Sequence, residues 1–328
     1  MNTYINNELW QEIFSNWIIT GCAVRDKNII YCCLRKDLPH EQMKDMWDSE
    51  IPSRLVALYL DTPDDPYGWK GLAGFARPIV GISHKPVSQG LLISRGLADS
   101  TVSVMGKGKW PLEHIIEGQG AGTANLRCID GYTYAASVHR KIYKRADIGQ
   151  WVSISHGIPT LSEEEWTLEK SIAEGFLDID GFSEQDMYAV GGRGDVWRYN
   201  GERWSQCAFP SNEQINTVLC APDGNVYIGG EGCSLWVGKE HTWTKVYQGN
   251  STILWNQLRW FNNQVWLCSD YQLRVWDGKA MQYVMDGDKK VVFNGHMDAY
   301  DGILVIAGSY RVDRFDGQQW HSIVKSYS

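Results

Sequence analysis

Little in the chain announces a reaction or a membrane. No run of roughly eighteen apolar residues occurs, so no membrane-spanning helix is expected. The N-terminal stretch carries Glu8 and Glu12 and has neither a basic start nor an apolar core, so no secretory leader is expected. Positive charge is scarce: 31 Lys and Arg against 39 Asp and Glu leave a net charge of -8. Nucleic acid is therefore not expected as a partner, because phosphate binding needs a basic face. There is no CxxC, and no cysteine pairs with a histidine at a zinc spacing. The eight cysteines (Cys22, Cys32, Cys33, Cys128, Cys207, Cys220, Cys233 and Cys268) are even in number. Disulfide frameworks belong mainly to small secreted chains, and several of these thiols sit in apolar runs such as 30–34 and 218–221. They read as small core fillers in a reducing cytoplasm. With eight scattered histidines, neither a metal nor a cofactor is expected.

Catalytic signatures are missing as well. Neither Gly-x-Ser-x-Gly nor a phosphate-binding Gly-x-x-x-x-Gly-Lys-Ser/Thr is present. Gly191-Gly192-Arg193-Gly194 follows one strand and precedes another, which is the wrong context for a phosphate at a helix start. The glycine-rich residues 118–122 read as a flexible connection. His139 and His296 are candidate general bases, without an identifiable paired acid.

What is abundant is aromatic residues and glycine: 16 Trp, 16 Tyr and 33 Gly. Together they suggest short strands and tight hairpins. The second half is repetitive. Val196-Trp197-Arg198-Tyr199-Asn200-Gly201-Glu202-Arg203-Trp204 returns as residues 235–243, 274–281 and 313–320, closing on Trp204, Trp243, Met281 and Trp320 at spacings of 39, 38 and 39. Tyr188, Tyr227, Trp266 and Val305 mark a second strand, each 39 residues from the next. Turn pairs precede the last three of these strands: Asp223-Gly224, Asn262-Asn263 and Asp301-Gly302. They are expected to be hairpin turns, and Asp-Gly fits type I′, whose central residues both need positive φ. Four strands in about 39 residues make one blade of a β-propeller. Earlier units are more diverged, with Asp130-Gly131 and Trp151 in one and Leu91-Leu92-Ile93 and Trp110 in another.

The expected architecture is all-β: a seven-bladed propeller of four-stranded antiparallel blades with short helical insertions. Its blades are placed at 17–76, 77–118, 119–158, 175–211, 212–250, 251–289 and 290–325. Residues 1–16 form a separate N-terminal piece, where Leu9, Trp10, Ile13, Phe14 and Trp17 have helical spacing. A six-bladed ring with residues 1–75 set apart is the alternative. The repeats resemble bacterial seven-bladed propellers of the broad WD40/Kelch-like architecture. They lack the Gly-His…Trp-Asp pair of WD40, the recurring Gly-Gly of kelch and the sialidase Asp-box. The resemblance implies architecture, not activity. If blade 7 is complete at Val324, no strand is shared to close the ring, and the N-terminal helix or plain packing of blade 7 on blade 1 must serve instead.

Two segments interrupt the repeat. Residues 36–53 fall between the second and third strands of blade 1. There Pro39 suits a first helical turn, and Met43, Met46 and Trp47 make a stripe on a short helix. Residues 159–175 lie between blades 3 and 4, where Ser162 and Glu165 make a capping-box pattern ahead of Trp166, Leu168 and Ile172. In a propeller both connections emerge on one face, here called the top. Both are acidic, with Asp37, Glu41, Asp45, Asp48 and Glu50 in one and Glu163, Glu164, Glu165, Glu169 and Glu174 in the other. They read either as solvated helices on the rim or as an acidic, aromatic-tipped wall around a basic partner. Nearer the axis, Arg95, His139 with Arg140, Arg193, Glu231, Asp270 and Tyr310 supply a mixed polar ring, with Arg35 at the root of the first insertion. Asn216, Trp255, Asn256 and His296 are candidate channel liners.

The expected function is protein binding without catalysis. The partner-binding candidates are Asp45, Trp47, Asp48, Glu163, Glu164, Glu165, Trp166, Arg95, His139, Arg193, Glu231, Asp270 and Tyr310. The chain's features suggest a cytoplasmic protein, and a self-contained propeller can be a monomer; the profile resembles that of bacterial immunity proteins, which implies a chain that covers a cognate toxin. An acidic face suits a basic toxin such as a nuclease. The alternatives are a glycan-acting hydrolase or lyase with sugar rings stacked in the channel, and a generic scaffold.

Overall fold

The computed structural model describes residues 4–325 apart from 96–99, 118–120, 160–164, 166 and 293. Seven four-stranded antiparallel sheets follow one another along the chain, each with its strands in sequence order. Blade 1 holds β1 (Trp17–Asp26), β2 (Ile29–Lys36), β3 (Ser53–Tyr59) and β4 (Tyr67–Leu72). Blade 2 holds β5 (Ile79–Ser83), β6 (Gln89–Ile93), β7 (Thr101–Met105) and β8 (Glu113–His114). Blade 3 holds β9 (Thr123–Ile129), β10 (Tyr132–Ser137), β11 (Ile142–Asp147) and β12 (Gln150–Ser153). Blade 4 holds β13 (Asp178–Ser183), β14 (Asp186–Gly191), β15 (Asp195–Tyr199) and β16 (Trp204–Gln206). Blade 5 holds β17 (Ile215–Cys220), β18 (Val226–Gly230), β19 (Ser234–Lys239) and β20 (Thr242–Tyr247). Blade 6 holds β21 (Gln257–Phe261), β22 (Gln264–Cys268), β23 (Leu273–Trp276) and β24 (Met281–Tyr283). A small hairpin of β25 (Met285–Asp286) and β26 (Lys289–Lys290) precedes blade 7, which holds β27 (His296–Tyr300), β28 (Ile303–Gly308), β29 (Arg311–Phe315) and β30 (Trp320–Val324). The ring thus has seven blades, including the first, which in sequence shows least of the repeat.

The first strand of each blade touches its counterparts on both sides, so β1, β5, β9, β13, β17, β21 and β27 surround the axis. The second strands are covered by neighbouring blades on both faces, and β6 and β18 are buried throughout. That is why these strands read as continuous apolar runs rather than as alternating ones. One hydrophobic cluster fills each inter-blade space; that between blades 4 and 5, for example, contains Tyr188, Val190, Val218, Ile228 and Trp236. The rings of Tyr188 and Trp243 pack in a T shape with centroids 6.3 Å apart. The recurring aromatics are therefore inter-blade packing.

The turn between the third and fourth strands explains the Asn/Asp-Gly half of the repeat. Oδ1 of Asp277 accepts from the N–H groups of Lys279 and Ala280 at 2.8 Å, and Asp316 does the same for Gln318 and Gln319. The following Gly278 and Gly317 adopt φ of +92° and +96°, where a side chain would be strained. Asn262-Asn263 and Asp301-Gly302 have positive φ at both positions, as a type I′ turn requires. Asp223-Gly224 differs from expectation, since only Gly224 is left-handed. Pro222 is the reason: Ala221 pairs with Asn225, making a three-residue loop in which Pro222 opens a type I turn and Gly224 closes it.

Helix α1 (Asn7–Ile13) is capped by Asn6, whose Oδ1 accepts from Leu9 N at 2.9 Å. Ile5, Trp10, Ile13 and Phe14 are buried with Val305, Val312 and Ile323 of blade 7 and Ile19 and Leu34 of blade 1. Ile5 N donates to Ile323 O at 3.3 Å and Ile19 N to Ser309 O at 2.9 Å. The ring closes by this packing, and among the described residues no strand is shared between blades 7 and 1.

The first insertion departs from expectation. Helix α2 (His40–Met43) is a single turn, and Pro39 is its N-cap rather than a residue of its first turn. Trp47 is extended (φ -71°, ψ 149°) and begins a 3₁₀ turn over Asp48–Glu50. Met43, Met46 and Trp47 therefore do not share one helical stripe; Trp47 N donates to Glu50 Oε2 at 2.6 Å, which caps the second turn and ends the first. In the second insertion, Ser162, Glu163, Glu164 and Trp166 lie outside the described residues. The cap seen there is Thr167, whose Oγ1 accepts from Lys170 N at 3.2 Å at the start of α3 (Leu168–Ala173).

Candidate functional site

The inner strands enclose a channel of about 1440 Å³. Neighbouring blades are bonded across its wall at a separation of one repeat. Thr217 Oγ1 donates to Asp178 Oδ2 at 2.9 Å, Arg259 Nε to Asp298 Oδ1 at 2.7 Å, and Asn256 Nδ2 to Gly295 O at 3.1 Å. Gln257 Nε2 lies 3.2 Å from His296 Nδ1, and Asn216 Nδ2 meets Trp255 O. In each pair the partners are 39 residues apart. Carboxylates on inner strands also accept main-chain N–H groups from the next blade: Asp178 from Val218, Asp180 from Cys220, and Asp298 from Val24. Arg127 makes a bidentate pair with Asp180 at 3.0 and 2.9 Å. Burial works against the Arg127 charge, but Asp180, with Asp178 and Asp298 beyond it, more than offsets this and raises its pKa. These charges hold the wall together.

The channel mouth on the top face is lined by Arg35, Arg77, Arg95, His139, Thr167, Asn256 and His296. Arg95 Nε and Nη2 donate to Ala124 O at 3.2 and 3.0 Å. Burial among protein atoms lowers the Arg95 pKa, and Arg77 lowers it further. His296 is likewise depressed by burial and by Arg95, with Asp270 acting the other way. At the opposite end, His84 stacks on Tyr300 at 4.8 Å. Among the described lining residues Tyr300 is the one Phe, Tyr or Trp, so the sugar-stacking platforms of the glycan reading are not found there. Trp255 does not line the channel: it is buried in the space between blades 5 and 6, where Nε1 donates to Ser234 O at 3.2 Å.

The other candidates spread over the face. Asp45 and Glu165 are exposed, and Trp47 is 79% exposed. Asp48 does not project outward as part of a wall; it is held between Arg35 and Arg77, at 2.6 Å from Arg77 Nε. A carboxylate between two guanidiniums is better satisfied there than in the solvent-facing position its sequence context suggested. Arg193 and Glu231 are exposed, and their backbone N–H groups are held by Ala173 O and Gln214 O. Asp270 accepts from Asn256 Nδ2 at 2.6 Å, which brings it beside the mouth. Tyr310 donates to Asp37 Oδ2 at 2.8 Å, joining blade 7 to the first insertion. Arg140 is bound to Asp195 and Glu174, at 2.7 and 2.9 Å, so Glu174 is also drawn inward.

Three features escaped the sequence reading. Arg77, in the connection from blade 1 to blade 2, belongs to the mouth; applying the same face rule to every inter-blade connection would have found it. Tyr271, 73% exposed, occupies the blade 6 loop beside Asp270. The β25–β26 hairpin adds Met285, 50% exposed, and the Lys290 ammonium 3.7 Å from the Tyr283 ring. No signal in the repeat marks that hairpin, because a two-residue ladder has no periodicity to detect.

Comparison with known proteins places this geometry in context. The chain is 32% identical over 248 residues to the immune protein Tsi7 of Pseudomonas aeruginosa, covering 74% of this chain and 78% of that one. No profile of a known protein family matches the chain. Among solved structures it is similar to the WD40 β-propeller domain of Doa1 (TM-score 0.62, 12% identity, 91% of this chain and 92% of that chain). It is also similar to YCF48 bound to D1 peptide (TM-score 0.61, 12% identity, 95% and 93%). At these identities the structural likenesses show the propeller fold alone.

Proposed function

The chain belongs to the family of the immune protein Tsi7, and from that premise we propose that it is an immunity propeller that neutralises a toxin protein by covering it with the top face. The observation that carries this reading is the kinship, which spans about three quarters of both chains. The face adds a physical rationale. Trp47 and Tyr271 stand free of the fold at 79% and 73% exposure, as anchor aromatics of an interface do before a partner arrives. Asp45, Glu50, Glu165 and Glu169 are exposed on the two insertions, which suits a basic partner and fast, salt-sensitive association. We place the protein in the cytoplasm as a monomer, where its eight free thiols stay reduced.

The test is affinity capture from the native host with the full chain, followed by association kinetics on whatever protein is recovered. One stoichiometric partner is expected. Trp47→Ala should weaken its binding by about 2 kcal/mol or more if this residue is an interface anchor. Lysine at Asp45, Glu50 and Glu165 should slow association most at low salt. Recovery of no protein partner at all would overturn the immunity reading.

A further inference from the structure

The centre of the top face has the opposite charge to its rim. Arg35 from the end of β2, Arg77 from the connection between blades 1 and 2, and Arg95 from the loop after β6 approach the channel mouth. Among the described residues only Asp48 is ion-paired with any of them: Oδ1 takes Arg35 and Oδ2 takes Arg77, at 2.6 Å for the latter. Arg95 has a carbonyl, not a carboxylate, as its partner, so three guanidiniums share one negative charge. Burial depresses the Arg95 pKa most, and the further lowering by its neighbour Arg77 is in keeping with the same imbalance.

A second, independent observation concerns the backbone. Arg77 has φ of +43°, in the left-handed region that favours glycine, and it precedes Pro78. Proline disfavours helical conformations in the residue before it, so the position is restrained twice over. Strain of this kind concentrates at functional sites. Here it holds a side chain that is 69% exposed over the opening of a channel of about 1440 Å³.

We propose that Arg77 and Arg95 form an oxyanion-binding site at the channel mouth that takes a carboxylate or phosphate group. Guanidinium forks bind these groups by charge-assisted, bidentate hydrogen bonds, and the surrounding protein strengthens each bond relative to open water. The oxyanion has two sources: a free polyanion entering the channel, or an acidic side chain of the toxin. The site itself rests on the geometry, and only the second source rests on the immunity reading. In that case the top face would match a basic protein surface at its rim and a carboxylate at its centre.

The experiment titrates the full chain calorimetrically with inorganic pyrophosphate and with citrate at low ionic strength. Saturable one-to-one binding of at least one probe is expected. It should weaken roughly tenfold or more in the double variant Arg77→Gln, Arg95→Gln. Asp48→Asn should strengthen it, since it frees Arg35 and Arg77, a gain that a merely damaged fold does not produce. Asp64→Asn, on the exposed loop between β3 and β4, should leave it unchanged. No saturable binding of either probe, or binding indifferent to the double variant, overturns the proposal. With the captured toxin in hand, displacement by pyrophosphate and weakened capture by the double variant assign the oxyanion to the toxin. Probe binding with undisturbed capture assigns it to a free anion. Failure to capture any protein while the probes bind defeats the immunity reading and leaves the site standing.

Discussion

Buried charge in this protein is spent on joining blades, and single residues show how much depends on it. Arg145 of blade 3 is fully buried and bidentate to Glu113 of blade 2 at 2.9 and 2.5 Å. It also donates to Gln89 Oε1 and Ser83 Oγ, while Trp151 Nε1 donates to Glu113. Arg145→Met leaves Glu113 buried without its counter-charge and should cost about 3–5 kcal/mol, read as a lower urea midpoint at unchanged slope. Two imidazoles set a pH dependence. Burial lowers the pKa of His84, with Arg25 acting the same way against Asp26, and burial lowers that of His296, with Arg95 acting the same way against Asp270, both from 6.5. Below that value the unfolded chain binds protons before the folded one, so these groups' contribution is present above pH 6.5 and lost as pH falls through the folded values. His84→Gln, His296→Gln should flatten the fall in unfolding free energy between about pH 6.5 and 5, measured by denaturant titration at each pH. Much at this scale was legible in sequence: Arg95 and His139 line the channel mouth because a loop between second and third strands must project there. The Arg145–Glu113 pair was not, because nothing in one sequence says which two of 70 charged residues will meet across an interface.

Elements owe their legibility to periodicity, and the first insertion shows where that fails. The spacing of Met43, Met46 and Trp47 fits a helix, yet a one-turn helix gains too little to propagate, and the side chain of Glu50 caps a new turn instead. The N-terminal helix is the opposite case. Its spacing is real because Trp10 and Ile13 are held in a slot between two blades, and the Arg54 guanidinium donates to Ile13 O at 2.7 Å while stacking on Trp17. Ile13 is completely buried. Ile13→Ala should therefore destabilise the whole ring by about 2–5 kcal/mol, the range for deleting a fully buried branched side chain. Differential scanning calorimetry should show a single transition at lower temperature. An early separate transition with the main one unmoved would mean that α1 is an appendage and not a closing wedge.

At the scale of the molecule, the sequence revealed a ring but left its closure open between the N-terminal helix and plain packing of blade 7 on blade 1, because closure is a relation between segments that share no repeat. Blade 7 has all four of its own strands, β27–β30, so the seam between blades 7 and 1 is held by α1, by Val24 N on Asp298, by Lys27 N on Asp301 and by a few main-chain bonds. Every other interface has covalent chain running across it. Opening at the seam should therefore be the easiest route to unfolding. A circular permutant tests this. Ile5 N reaches Ile323 O, so a short Gly/Ser linker in place of residues 326–328 and 1–3 can join residue 325 to residue 4. New termini at Gly224 and Asn225 then split the β17–β18 hairpin. The old seam becomes covalent, and β17 must pair with β18 from the far end of the chain, so separating the ends now requires breaking a strand ladder as well as packing. The permutant should unfold more slowly than the parent in strong denaturant. It should also fold more slowly, because that pairing has become the most distant contact in the chain. Equal or faster unfolding would place the weak point of the ring away from the seam, and with it the role assigned here to the N-terminal helix.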